Sequence, residues 1–290
     1  MKKVAVLLLV FVSVVFSNQV VKGLSTSRNT ITLIAGGDVM LGRSVNTQSQ
    51  RRRDYAWAFA RIADDFRSAD LSLINLESPI VSGCRPTDTG MVFCAPPDHI
   101  QGLLVSGVDI ANLANNHIYN YGQSGVNSTL NLLTQNGISP IGFEPAIKEV
   151  KGIKFGFLGY SPFLKLDRTQ MVQEIGSLRS SVDQLIVTFH WGNEYQTSPT
   201  SQQKQLAHLA IDSGADIIIG HHPHWVQDKE IYQGKLIYYS LGNLIFDQMW
   251  SEKTREGLVV KFVFSSTGSL IETQELPIRI YDYGQPRFEE

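Results

Sequence analysis

Only two cysteines occur in the 290 residues, Cys84 and Cys94. That scarcity excludes a zinc ribbon or a dense disulfide scaffold, because two thiolates do not complete a tetrahedral metal site. Charge of one sign is also missing: 25 lysines and arginines stand against 27 aspartates and glutamates, a formal net charge of −2. A nucleic-acid binder carries a clear basic excess, so no nucleic-acid partner is expected. The one basic run, Arg51-Arg52-Arg53, has no aromatic or basic stripe beside it and reads as a solvated loop. No apolar run reaches the roughly 20 residues that a membrane-spanning helix needs. The sequence has no internal repeat and no low-complexity tract, which excludes solenoids and collagen-like rods.

The N-terminus reads Met1-Lys2-Lys3, an apolar stretch from Val4 to Phe16, then Ser17-Asn18-Gln19. A basic start, a short apolar segment and a small residue form the pattern of a secretory signal peptide. Residues 1–17 are read as that signal, with an uncleaved N-terminal anchor as the alternative, and 18–30 as a polar linker. The chain is therefore expected outside the cytoplasm, secreted or anchored. In an exported chain, an even cysteine pair flanking a loop rich in glycine and proline favours a Cys84–Cys94 disulfide.

Apolar runs alternate with helical periodicity through the first two-thirds of the chain. Strands are expected at Ile31–Ala35, Leu71–Leu76, Val108–Leu113, Lys154–Tyr160, Leu185–Phe189 and Ile217–Ile219. Helices are expected at Ala56–Phe66, His99–Val105, Ser124–Gln135 and Ser201–Ser213. Later strands pair locally, at Lys229–Tyr232 with Leu236–Tyr239 around Gln233-Gly234, and at Leu258–Phe264 with Leu270–Leu276. This is an α/β pattern, mixed with α+β, in one domain spanning 31–280.

Chemistry-bearing residues recur where strands end. Gly220-His221-His222-Pro223-His224 follows Ile217-Ile218-Ile219, and imidazole is the commonest neutral metal ligand. Asp38, Glu77, Asn116, His117 and His190 also follow apolar strands, the end at which α/β folds bind ligands. Each alone reads as a cap, a turn or a hydrogen-bonded core residue. Together they offer two carboxylates, one amide and several imidazoles. His99 and His208 lie in expected helices without polar partners and read as structural. Glu194, in Trp191-Gly192-Asn193-Glu194-Tyr195, reads as an acceptor that fixes an imidazole tautomer. Asn243, in the segment Ser240 to Asp247, is given a similar supporting place where the chain could close over the site; a plain turn is the alternative.

Six ordered motifs carry a resemblance. They are Gly37-Asp38-Val39-Met40-Leu41-Gly42-Arg43, Asn75-Leu76-Glu77-Ser78-Pro79, Ala114-Asn115-Asn116-His117, His190 to Tyr195, Gly220 to His224, and Tyr239-Ser240-Leu241-Gly242-Asn243. The chain resembles the bacterial capsule-synthesis CapA family, also called the poly-γ-glutamate biosynthesis family. That family is in turn similar to calcineurin-like metallophosphatases. The resemblance implies a four-layer αββα sandwich and a site for one or two divalent metal ions (manganese, iron or zinc). Carried over residue by residue, it implies Asp38, Glu77, Asn116, His190, His221 and His224 as metal ligands, with His222 the second choice in the last pair, and His117 as the catalytic histidine. Three departures stand out. Met40 occupies a position where phosphatases have a histidine ligand, Glu77 replaces an aspartate, and the final pair is one residue wider because of Pro223. Asn120, where an aspartate is usual, is given no role.

Two functions follow from the resemblance. One is a metal-dependent hydrolase acting on a cell-surface polymer or a phosphoester. The other is a non-catalytic accessory subunit that binds a capsule polymer and helps export or anchor it. Either implies an anionic surface polymer or its precursor as partner, with membrane-bound capsule-synthesis machinery.

Overall fold

The structure, a computed structural model, describes residues 30–289. The expected signal peptide or anchor, and all of the expected linker except Thr30, lie outside the described residues. In chain order the first elements are β1 (Ile31–Val39), α1 (Arg43–Arg52), α2 (Ala63–Ser68), β2 (Leu71–Leu76), α3 (Ile100–Val105), β3 (Ile110–Asn112), α4 (Gly122–Gln135) and β4 (Ser139–Ile141). Next come β5 (Ala146–Val150), β6 (Ile153–Tyr160), α5 (Arg168–Arg179), β7 (Gln184–His190), α6 (Ser201–Asp212), β8 (Ile217–His221), β9 (Lys229–Tyr232) and β10 (Lys235–Tyr238). The chain finishes with β11 (Asn243–Ile245), α7 (Glu252–Arg255), β12 (Glu256–Phe264), β13 (Leu270–Tyr281) and β14 (Gln285–Phe288).

β2, β7 and β8 are apolar almost without interruption because both of their faces are covered. The first sheet runs β14-β13-β12-β1-β2-β3-β4, with β11 added alongside the end of β1. β1 to β4 are parallel, and β12 to β14 are antiparallel. The second sheet runs β5-β6-β7-β8-β10-β9, parallel at its centre and antiparallel at both edges.

Three apolar layers hold the stack together. Leu33, Leu73 and Ile110 of the first sheet meet Phe157, Ile186, Ile217 and Ile219 of the second in the central layer. Ile74 and Leu76 face outward toward Phe66, Leu103, Val126 and Leu133. Val187 and Ile218 face outward toward Met171, Ile175, Leu206 and Ala210 of α5 and α6. Ile217 and Ile219 point inward while Ile218 points outward, as the two-residue period of a strand requires. The result is the expected αββα sandwich.

Several local expectations need correction. Ala56–Phe66 is not one helix: tight turns carry Ala56 to Ile62, and only Ala63–Ser68 is α-helical. The Asp54 carboxylate accepts from Ala56 N, and Trp57 Nε1 donates to Ser49 Oγ at 2.7 Å. Those tertiary anchors outweigh helical propensity in the segment. Arg51 and Arg52 are exposed as expected, but they form the last turn of α1, and Arg53 caps it with a left-handed φ of 54°. α1 escapes a periodicity reading because its sequence is largely polar. α5 was not assigned from sequence, although Asp167 caps it through Thr169 N and Gln170 N, and Met171, Ile175 and Leu178 recur at helical spacing. His99 and His208 do have polar neighbours, Asn46 Oδ1 at 3.3 Å and Glu230 Oε1 at 2.8 Å. The expected hairpin forms, with positive φ at Gln233 and Gly234, as a two-residue reverse turn between twisted strands demands. β14 extends the first sheet past residue 280.

Cys84 and Cys94 are disulfide-bonded, with Cα atoms 5.8 Å apart. Closing this ten-residue separation removes unfolded-state entropy worth roughly 2–3 kcal/mol. Replacing both cysteines by serine is expected to lower unfolding free energy by about that amount in denaturant titrations; an unchanged midpoint would contradict it. Burial lowers the His99 imidazole to about 4. The unfolded chain takes up that proton near pH 6.5, so the contribution of His99 to stability falls as pH drops from about 6.5 toward 4. His99→Gln is expected to flatten this part of the stability–pH curve; an unchanged slope would show that other groups set it.

Candidate metal centre

Both sheets direct the carboxyl ends of their parallel strands to one end of the sandwich. Asp38 lies near the end of β1, Glu77 follows β2, and Asn116 and His117 follow β3. His190 ends β7, and His221, His222 and His224 end or follow β8. Two glycines allow this close approach. A Cβ at Gly37 would collide with the Gly242 carbonyl oxygen, and one at Gly220 with the Tyr239 carbonyl oxygen and the Trp191 indole.

Donor atoms from both sheets converge on Glu77. Its carboxylate is fully buried, and among the described residues neither oxygen has a hydrogen-bond partner. Nε2 of His117, His190 and His224 lie 3.8, 3.8 and 3.9 Å from Glu77 Oε1. These gaps are too long for hydrogen bonds. Donors sharing an ion at about 2.1 Å stand roughly 3–4 Å apart, so they suit an ion.

Two donor sets share this carboxylate. In the first, His190 Nε2 is 2.8 Å from Asn116 Oδ1 and 3.1 Å from His222 Nδ1. Glu77, His190 and His222 can jointly hold one ion, and so can Asp38, Glu77 and His224. The histidine that joins His224 in these sets is thus His222, the second choice from sequence. His221 is fully buried, its Nδ1 stands 3.5 Å from Asp38 Oδ1, and among the described residues neither of its ring nitrogens has a hydrogen-bond partner. It belongs to none of the ligand groups found among the described residues. With His222 and His224 facing the sets, the pair is separated by Pro223 alone, not widened by it.

Amide side chains fix the rings. Asn243 Nδ2 donates to Thr254 O at 2.9 Å, so its Oδ1 is the atom facing His224 Nδ1 at 2.9 Å. His224 Nδ1–H therefore donates, and Nε2 is turned toward Glu77. Asn120 fixes His117 in the same way. Phe93 N donates to Asn120 Oδ1 at 2.6 Å, so this oxygen also accepts from His117 Nδ1–H at 3.0 Å. Sequence reasoning gave Asn120 no role, and the three-residue spacing from His117 was the available signal. It also passed over Asn75, whose Nδ2 donates to Asp38 Oδ1 at 2.8 Å and lies 3.1 Å from His190 Nδ1. Arg43 is another omission. It ion-pairs with Asp247, and its guanidinium lies over the Phe93 ring, which stacks on His117 with centroids 3.9 Å apart.

Electrostatics follow this packing. Burial raises the Glu77 carboxyl well above its ordinary value; His224 opposes this, and Asp38 and Glu194 add to it. Burial also acts to raise Asp38, but the hydrogen bond and charge of His224 hold it below the usual range. Burial opposes protonation of His224 as well, yet Glu77, Asp38 and Glu194 raise it to about 9. His190 is driven well down and His222 to about 3, both chiefly by burial. Backbone strain gathers here too. Arg43, Tyr195, His222 and His224 have positive φ, of 43°, 60°, 95° and 58°, a conformation that costs a non-glycine residue energy.

A four-layer αββα sandwich with carboxylate, amide and imidazole donors between its two sheets is a metallophosphatase-like fold. Solved structures share the fold. A hypothetical protein from Thermus thermophilus superposes with a TM-score of 0.55 at 16% identity, covering 88% of this chain and all of that one. A 5′-nucleotidase precursor from the same organism gives 0.53 at 14% identity, covering 89% of this chain and 54% of that one. The sequence profile described as "Bacterial capsule synthesis protein PGA_cap" matches residues 32–248, and the chain belongs to that family. It is 27% identical to the capsule biosynthesis protein CapA of Bacillus anthracis, over 92% of this chain and 71% of that one. It is 28% identical to the PGA biosynthesis protein CapA of Bacillus subtilis (strain 168), over 80% and 67%.

The Asn120 geometry predicts that His117 is held as its Nδ1–H tautomer. Nitrogen–proton correlation spectra of the imidazoles should show this in the parent protein and a tautomer mixture in Asn120→Ala. Identical His117 shifts in the two proteins would remove Asn120 from the site.

Proposed function

We propose that this chain is an exported, metal-dependent hydrolase of capsule or poly-γ-glutamate biosynthesis, acting on a phosphoester or on an anionic cell-surface polymer or its precursor. The observation that carries this reading is the unpartnered Glu77 carboxylate, with three imidazole nitrogens 3.8–3.9 Å from Oε1. One ion would be held by Glu77, Asn116, His190 and His222, and a second by Asp38, Glu77 and His224. Mixed nitrogen and oxygen donors suit manganese, iron or zinc better than calcium. When bound, such ions supply Lewis acidity toward a phosphoryl or carbonyl oxygen and lower the pKa of a coordinated water.

The remaining steps belong to the chain's own groups. His117, with Nδ1–H held by Asn120, turns Nε2 into the site and, when protonated there, hands a proton to the leaving group. Arg43, stacked on Phe93, puts a fixed positive charge beside His117. Among the described residues no helix is long and apolar enough to cross a membrane; attachment to membrane-bound capsule machinery would reside in the N-terminal segment or a partner.

A second reading has its own observation. Met40 offers only a thioether, already accepting from Gly42 N at 3.0 Å, where a phosphatase has an imidazole. A weakened site fits a non-catalytic accessory subunit that binds and helps export or anchor the polymer.

The experiment is elemental analysis of the purified protein, followed by manganese-loaded hydrolysis of bis-p-nitrophenyl phosphate and of poly-γ-glutamate. His117→Ala is expected to lower kcat by roughly 10²–10⁴-fold while retaining metal, and His190→Ala to lose metal. Absence of bound or recruitable metal, with histidine variants that still support capsule, would favour the accessory reading.

A further inference from the structure

The Asp38, Glu77 and His224 group brings three donors to its ion position, fewer than the four of a closed tetrahedral site. Met40 cannot easily stand in. It is fully buried in the layer between the first sheet and its helices, and its sulfur already accepts a backbone N–H. Thioethers also favour softer ions than a carboxylate-rich position selects.

Another carboxylate reaches the same ring. A Glu194 oxygen and ring nitrogens of His222 and His224 all lie within 4.8 Å of one another, and His224 is common to this group and to the Asp38–Glu77–His224 group. We infer that Glu194 is a direct metal ligand, sharing an ion with His222 and His224, rather than an outer acceptor for an imidazole. The inference rests on the metal-site reading above.

The loop is built to deliver this side chain. After His190 the chain turns back through Gly192, with φ of 84°, and Tyr195, with φ of 60°. A left-handed tyrosine is strained and persists only where its surroundings enforce it. Tyr195 N donates to Pro223 O at 2.8 Å, stapling the Glu194 loop to the segment between His222 and His224. Gln248 Nε2 donates to the Tyr195 hydroxyl at 3.2 Å and Asn243 Nδ2 donates to Gln248 Oε1 at 3.1 Å, so the loop also joins the amide that orients His224. Glu194 is half-buried and, among the described residues, has no ion pair with lysine or arginine. A carboxylate aimed at two imidazoles and lacking a cationic side chain is suited to a metal ion.

The test is manganese binding by the purified protein, read by elemental analysis, calorimetric titration and electron paramagnetic resonance. The parent protein is expected to bind two ions with a spin-coupled signal. Glu194→Gln should keep one ion at parental affinity, weaken the other at least tenfold, and show an isolated-ion signal. Glu194→Gln alone carries the test. Circular dichroism and melting in chelator check that the variants fold. Parental ion count and affinity in Glu194→Gln, whether one ion or two, overturns the inference and leaves the metal-site reading standing. No manganese bound to the parent protein overturns both.

Discussion

A carboxylate removed from water needs a compensating charge or hydrogen bonds, or it gives up its own charge. Glu77 is fully buried and, among the described residues, has no hydrogen-bond partner for either oxygen. The surrounding arrangement answers that one constraint. Imidazoles from β7 and from the segments after β3 and β8 face the carboxylate at nearly equal distances, and Asp38 and Glu194 raise the demand for positive charge. His224 responds by holding its proton to about pH 9 despite burial. The chemistry of the donor set is therefore that of a cation site.

Around this centre lies a shell of neutral amides. Asn243 uses its amide nitrogen on the Thr254 carbonyl and its oxygen on the His224 ring, Asn120 uses one oxygen for both Phe93 N–H and the His117 ring, and the Asn75 nitrogen donates to Asp38 beside His190. These amides orient rings without adding charge. They also tie the site to distant parts of the fold. Phe93 contributes both the backbone N–H that orients Asn120 and the ring that stacks on His117, and it adjoins Cys94 of the disulfide. The small loop closed by Cys84 and Cys94 thus has a structural task at the site, not merely on the surface.

Much of this was legible in the sequence, for local reasons. Leu71–Leu76 and Lys229–Tyr232 are strands at the expected bounds, because unbroken apolar runs and hairpin turns are local signals. Asp38, Glu77, Asn116, His190 and His224 could be singled out because each follows such a run. The helix proposed at Ala56–Phe66 failed because Trp57 finds Ser49 and Asp54 holds Ala56, contacts that periodicity cannot contain. Asn75, Asn120 and Arg43 went unassigned for the same reason: a lone amide or arginine beside a motif has no meaning until its partners are known.

The sequence by itself determined the alternation of strands and helices, the cysteine pairing and the chemical types of the donors. Those features depend on residue type, on spacing along the chain and on short-range turn chemistry. Only the tertiary structure decided that His222 rather than His221 faces Glu77, and that Glu194 meets His224. Adjacent residues at a strand end differ by one peptide in sequence but point to opposite faces. Which face holds the site depends on how the second sheet packs against the first, and that packing is a property of the whole fold.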